Sequence, residues 1–226
     1  MANNIHVFLH VAVMGDFWRE VNCELVSAIN ASGLYDASTS CNMVFVGRGE
    51  TRYLTGRGMP KWDTHEFAGE VWEYEYPTLR LAYKQSLADP CSKILYMHTK
   101  GVSSPYAGGT AYEGRRFRGY WRQVMTYHVV NRWRECVGLL DEYDAVGPFQ
   151  VPPPRPHFGG NFWWARGEHL ARLGEPNPDF NDLHPRLFAE LWIQSQPCRT
   201  FDLYPWPPSP GDAFCQDEYR LTGAQR

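Results

Sequence analysis

His98, Thr99, Lys100 and Gly101 follow directly on the short apolar run Lys93 to Met97. An imidazole, a hydroxyl and an ammonium beside a glycine, at the carboxyl end of a strand, suit an anionic group, because ligands of α/β proteins gather at that end of the sheet. The bland alternative is a solvated turn with a surface lysine. Arg115, Arg116, Arg118 and Arg122, interleaved with Phe117, Tyr120 and Trp121, form the strongest basic cluster. Read as the start of a helix, these cations oppose the macrodipole and point to an anion held there. Gly159, Gly160 and Asn161 precede Phe162, Trp163 and Trp164. Two glycines allow close backbone approach, Asn161 offers donor and acceptor, and an indole face can pack on sugar C–H groups. Alternation places Trp163 and Trp164 on opposite sheet faces, so at least one belongs to the core. His157 lies beside them, and the ordinary reading of it is a loop histidine.

The elements that must position these groups alternate between strand and helix. Ile5 to Val13 predicts a buried strand, and Trp18, Val21, Leu25 and Ile29 predict a helix stopped by Gly33. A second strand, Asn42 to Val46, runs into the Gly- and Arg-rich loop GRGETRYLTGRGMPKW. After the short segment Val71 to Tyr74, Pro77 and Thr78 open a helix with the stripe Leu79, Ala82, Tyr83 and Leu87, closed by Pro90. Gly101 to Gly119 reads as a loop able to close over a ligand. Trp121 to Leu140 then holds an apolar stripe over five turns. Tyr143 to Val146 and Phe162 to Ala165 predict strands joined by the connector VPPPRPH, which cannot continue a ladder. Glu168 to Leu173 and Leu187 to Ser195 predict helices, and the tail from Pro197 is expected to wrap without regular structure. This is an α/β chain with a central, mostly parallel sheet flanked by helices.

Composition bounds the function classes. A chain of 226 residues forms one sizeable domain, and its formal charge of −3 gives no long-range attraction for nucleic acid or acidic membranes. No apolar run reaches membrane-spanning length, and the amino terminus lacks a signal-peptide pattern, so a cytoplasmic protein is expected. Nine Trp within 15% aromatic residues fit a sugar or base site as well as a core. The six cysteines show no CxxC pair, which predicts buried reduced thiols rather than disulfides or a structural metal. Neither GxGxxG nor GxxxxGK[ST] occurs.

Taken in order, the helix YPTLRLAYKQSLA leading to KILYMHTKG, then GGNFWWARGEHLARLG, then AELW resemble the nucleotide-diphospho-sugar transferases of the GT-A fold. More narrowly, the paired HTKG and GNFWWA blocks resemble a glycosyltransferase-like group. The resemblance runs from about Ile5 to Trp192. It implies a single GT-A-like (Rossmann-like) domain over 1–226, with a nucleotide-sugar half (1–101), an acceptor and catalytic half (102–196) and a Pro-rich wrapping tail (197–226).

The resemblance implies transfer of a sugar from a nucleotide diphosphate, UDP favoured, to a hydroxyl, with inversion preferred. Carbohydrate, protein side chain and secondary metabolite all remain open as acceptor. Glu190, on a helix face with Leu187, Leu191 and Gln194, is the implied base, since a carboxylate can take a hydroxyl proton while positive charge builds at the sugar. Asp141, Glu142, Asp144, Asp217 and Glu218 are its competitors. His10, Arg80, His98, Thr99, Lys100, Arg118 and Arg122 are expected around the donor, with Arg48 to Arg57 as weaker contributors. His157, Gly160, Asn161 and Trp163 are expected around sugar or acceptor. Where the family usually carries Asp-x-Asp for Mg²⁺ or Mn²⁺, this chain has His98, Thr99 and Lys100. Lys100 could neutralise the departing diphosphate itself, or His98 could ligate a metal. The alternative is a non-catalytic carbohydrate- or nucleotide-binding module that keeps the fold.

Overall fold

In the computed structural model, residues 4–15, 17–48, 60–67, 73–102, 111–177 and 184–205 are described, those of 111–118 by backbone alone. The order is β1 (Ile5–Val13), α1 (Trp18–Ala31), α2 (Leu34–Ala37), β2 (Ser40–Gly47), β3 (Trp62–Phe67), α3 (Tyr76–Ala88), β4 (Lys93–His98), α4 (Ala111–Thr126), α5 (Trp133–Leu139) and β5 (Ala145–Gly147). There follow β6 (Gln150–Val151), β7 (His157–Phe158), β8 (Trp163–Arg166), α6 (Gly167–Leu173), α7 (Pro185–Leu191) and β9 (Thr200–Asp202).

Seven strands form one sheet in the order β3-β2-β1-β4-β8-β5-β9. β8 runs antiparallel to β4 and β5, while the other neighbouring pairs are parallel. The α/β architecture expected from the alternating elements is therefore the one observed. From β1 the chain builds outward to β2 and β3 on one side and to β4 on the other. This reversal makes a crevice at the carboxyl ends of β1 and β4, where open α/β sheets take ligands.

Side-chain alternation assigns each residue to a face. Ile5, Val7, Leu9, Val11 and Val13 pack with Leu95, Met97, Trp164, α1, Val124, Met125 and Trp133. Phe8, Ile94, Tyr96 and Trp163 pack on the other face against α3, α6 and α7. Both indoles of the Phe-Trp-Trp run are fully buried, one in each layer.

Several elements differ from expectation. α4 begins at Ala111, so Arg115 to Arg122 lie inside a helix, and the macrodipole argument for an anion at a basic helix start no longer applies. Its first turns are too polar to show an apolar period. The single helix expected up to Leu140 is divided by a π-helical turn, Tyr127–Asn131, which turns the consecutive Val129 and Val130 both inward. In α3 the buried stripe runs through Leu79, Ala82 and Ser86, and Leu87 faces outward. β3 lies at the edge of the Gly- and Arg-rich loop, where WDTHEF, nowhere fully buried, hides its strand character. The connector after Gln150 closes a two-stranded ribbon, β6 with β7. β9, within the Pro-rich tail, completes the sheet against β5.

Among the described cysteines none is disulfide-bonded. Cys41 and Cys136 are buried, whereas Cys23 and Cys91 are exposed, contrary to the expectation of uniformly buried thiols. No helix among the described residues is long and apolar enough to cross a membrane.

Candidate functional site

His10 and His98 are register partners on β1 and β4. Parity puts both on the face with Phe8 and Tyr96, opposite Leu9 and Met97, and so toward the amino end of α3. There Thr78 Oγ1 lies 2.9 Å from His10 Nδ1. Beyond His98 the strand gives way to a turn built from its own sequence. The Thr99 amide donates to the His10 carbonyl at 3.0 Å, and Thr99 Oγ1 accepts from the Ala12 amide at 3.0 Å, so the threonine extends the β1–β4 seam. The Lys100 amide folds back onto the His98 carbonyl at 2.7 Å, and Gly101 takes φ 91°, a conformation that favours glycine. The Lys100 ammonium stands 4.5 Å from the centre of the Trp121 ring.

A carboxylate that sequence reasoning passed over occupies the centre of this region. Glu75, only 6% exposed, sits at the N-cap of α3. Its Oε2 accepts from the Tyr96 hydroxyl at 2.6 Å and from Asn161 Nδ2 at 2.5 Å. Asn161 Oδ1 in turn accepts from Trp163 Nε1 at 2.8 Å, which orients the amide. Glu75 Oε1 lies 3.8 Å from His98 Nδ1. His98 Nε2 donates to the Gly160 carbonyl at 2.8 Å, and a carbonyl can only accept, so the Nε2–H tautomer is set. The Gly-Gly-Asn motif serves this geometry. Gly160 has φ 94°, and a Cβ there would run into Met125 Sδ. Asn161 has φ 57°, which asparagine tolerates better than most residues.

Burial, reinforced by the Lys100 ammonium, pushes His98 down to about 3. Burial also lowers His10 to about 4, against the pull of Glu75. Both rings are neutral near pH 7, so the approach of His98 to Glu75 is not an ion pair. Burial, and then the Glu75 charge, raise the Tyr96 hydroxyl well above its ordinary value, which keeps it a donor.

Around these groups lies a cavity of about 490 Å³, lined by His10, Tyr74, Glu75, His98, Thr99, Lys100, Gly101, His184 and Arg186 together with the apolar Ala12, Met14, Val46 and Val102. Of the expected donor residues, the structure brings His10, His98, Thr99 and Lys100 together here. The others go elsewhere. Arg122 is buried and donates to Glu24 at 2.6 and 3.2 Å and to the Lys100 carbonyl at 2.9 Å, so it braces the turn from behind. Arg80 points away, toward the Pro176 carbonyl and Glu175. The Arg118 side chain, with those of Arg115, Arg116 and Phe117, lies outside the described residues, as do residues 49–57 of the Arg-rich loop, Asp217 and Glu218.

The expected sugar contacts need correction. Asn161 and Trp163 are fully buried behind the cavity wall, where they hold Glu75 and stack on Tyr96, so neither presents a surface to a ligand. Gly160 contributes its carbonyl to His98, and His157 Nδ1 pairs with the Arg155 carbonyl away from the cavity. Glu190 stands on α7, its side chain 16% exposed and its carboxylate 3.8 Å from Arg186 Nε. It is not among the lining residues, although its charge acts on His98 and Tyr96. Asp141 pairs with Lys93 at 2.8 Å and Asp144 with Arg166 at 2.8 Å, both as structural partners. Glu75, Tyr74, His184 and Arg186 were not anticipated. Only the carboxylate just ahead of Pro77 signalled one of them, and such a residue reads first as a helix-start acid.

A hard divalent cation asks for several oxygen ligands. Among the described residues no three His, Cys, Asp or Glu side chains converge, and Glu75 Oε2 is already taken by two donors. The described donor set does not fit such an ion.

No curated protein matches this chain in sequence. A provisionally assigned nucleotide-diphospho-sugar transferase from Desulfovibrio desulfuricans G20 is 11% identical, with a TM-score of 0.49 over 91% of this chain and 81% of that one. A 4-diphosphocytidyl-2C-methyl-D-erythritol synthase is 10% identical, with a TM-score of 0.46 over 97% of this chain and 99% of that one. At that level neither structure bears on what the chain does. Residues 59–196, more than half of the chain, match the family described as Domain of unknown function (DUF8361), and the chain belongs to that family.

Proposed function

We propose that this protein is a glycosyltransferase that binds a nucleotide-diphosphate sugar, UDP-linked by preference, at the β1–β4 crevice and passes the sugar to a hydroxyl acceptor. The observation that carries the reading is the polarity of the cavity. Lys100 and Arg186 bring cations to it, Gly101 a close backbone approach, and Glu75 and His98 acceptors. A ligand with a charged diphosphate and a hydroxylated sugar matches both.

In this reading Lys100 and Arg186 take up the negative charge that develops on the leaving diphosphate. The acceptor oxygen attacks the anomeric carbon, the bond to the diphosphate breaks with its electron pair leaving on the nucleotide, and the acceptor proton passes to a carboxylate. Glu190, carried by the AELW motif and one helical turn along α7 from the lining residue Arg186, is the proposed base, and inversion the proposed outcome. No step passes through a metal ion.

The test is calorimetry and turnover with UDP, other nucleoside diphosphates and a panel of their sugars, with and without chelator. Sugar nucleotides are expected to bind and to be transferred or slowly hydrolysed in the presence of chelator. Absence of binding to any of them would sink the class, and loss of turnover on chelation would overturn the metal-free step. Binding retained with no turnover, unaltered by Glu190→Gln, would leave a sugar-nucleotide-binding module in place of an enzyme.

A further inference from the structure

We infer that Glu75 Oε1 and His98 Nδ1 together form an acceptor site for two neighbouring hydroxyls of a sugar carried by an anionic ligand, one donating to each atom. The inference deepens the proposed function by naming what holds the sugar, and it rests on geometry at atoms that reading did not use. Each atom's neighbours are accounted for. Glu75 Oε2 is occupied by Tyr96 and Asn161, so that Oε1 is the oxygen left to the cavity. His98 Nε2 spends its proton on the Gly160 carbonyl, so Nδ1 presents a lone pair. The two acceptors face each other at 3.8 Å, too far to share a proton directly.

Neither atom is shut away from the cavity, so each can accept a proton from a ligand, and because a hydroxyl has one proton to give the pair calls for two. The cavity also says what kind of donor. Lys100 and Arg186 line the same space, and their charges oppose a second cation, whether an ammonium or a metal ion. Two neutral hydroxyls are favoured, on a molecule whose own negative charge meets those cations. Tyr74, on the lining and held at φ 44°, adds an aromatic surface for sugar C–H groups. That backbone conformation is costly for an aromatic residue and persists where the surroundings dictate it.

The arrangement is held from behind. Trp163 orients Asn161, Asn161 and Tyr96 orient Glu75, and the Gly160 carbonyl fixes the tautomer of His98. A carboxylate that merely linked β4, β8 and α3 would not need its second oxygen aimed at a bare imidazole nitrogen. The substitution Glu75→Gln separates the two roles. Its amide can keep an oxygen toward Tyr96 and Asn161 while an N–H replaces the acceptor Oε1, and an N–H cannot take a hydroxyl proton.

The test uses the full chain labelled with ¹⁵N-histidine, with UDP, UDP-glucose and free glucose as probes. UDP-glucose, and glucose at high concentration, are expected to shift the His98 Nδ1 resonance, while UDP alone leaves it in place. Glu75→Gln is expected to stay folded and to lower the preference for UDP-glucose over UDP by at least about tenfold, ~1.4 kcal/mol. Sugar probes that bind without moving Nδ1, or that leave it unmoved because they do not bind, overturn the inference. So does a Glu75→Gln protein that discriminates as the parent does. Failure of UDP to bind while glucose still shifts Nδ1 would refute the nucleotide reading and leave this site standing. Should Glu75→Gln not fold, the resonance of the unmodified protein decides alone.

Discussion

His98 on β4 and Gly160 in the turn before β8, 62 residues apart, are joined by a 2.8 Å hydrogen bond from the imidazole Nε2 to the glycine carbonyl. The bond ties the HTKG turn to the GGN turn and decides which nitrogen of His98 faces the cavity. The two motifs that stand out in the sequence thus act on one ring.

Gly160→Ala should break this link. With the backbone at φ 94° a Cβ is strained, and here it would also run into the Met125 side chain, so the turn is expected to shift and take its carbonyl along. A loss of ~1–3 kcal/mol is expected in urea unfolding, together with a change in the His98 tautomer signal by NMR. An unchanged signal would separate the turn from the ring.

Arg122→Ala removes the guanidinium that grips Glu24 and the Lys100 carbonyl. A buried carbonyl left without its donor costs about 1–3 kcal/mol. The variant should unfold earlier in urea and bind UDP more weakly than the parent, because the Lys100 turn loses its brace. Arg122→Lys, which cannot span both partners, should rescue little.

Thr99→Val tests the seam between β1 and β4. It keeps the shape but deprives the Ala12 amide of its acceptor at 3.0 Å. Faster hydrogen exchange at Ala12 and a stability loss of ~1–2 kcal/mol are expected. Protection equal to the parent's would show that another group had taken over.

Stability should depend on pH through the buried imidazoles. His98 and His10 are lowered from 6.5 to about 3 and about 4, chiefly by burial, and burial lowers His128 to about 4 as well. Below pH 6.5 the unfolded chain binds protons that the native rings refuse, so the native state loses stability as pH falls from about 6.5 toward 4. Urea midpoints measured across that window should fall, and the fall should flatten in His128→Gln. A midpoint independent of pH would mean that these rings are protonated in the fold.

The parts legible in the sequence were those with local causes. Ile5, Val7, Leu9, Val11 and Val13 announce β1 by composition and alternation, and Thr99 and Gly101 announce the turn after β4. The cavity at that turn follows from strand polarity. What stayed hidden depends on distant partners. Glu75 before Tyr76 and Pro77 reads as a helix-start acid, and only the fold brings Tyr96 and Asn161 to its Oε2. Asn161 and Trp163 beside two glycines suggest ligand contacts, yet packing turns both inward to support that carboxylate. β9 escaped notice because three residues in a Pro-rich tail carry no period of their own.

The central claim is that the Lys100 turn receives the diphosphate of a sugar nucleotide, and calorimetric titration of the full chain with UDP-glucose, beside Lys100→Ala, tests it most directly. The account predicts saturable binding by the parent and a loss of at least about tenfold in the variant, ~1.4 kcal/mol. No binding by the parent, or equal binding by both proteins, would contradict it.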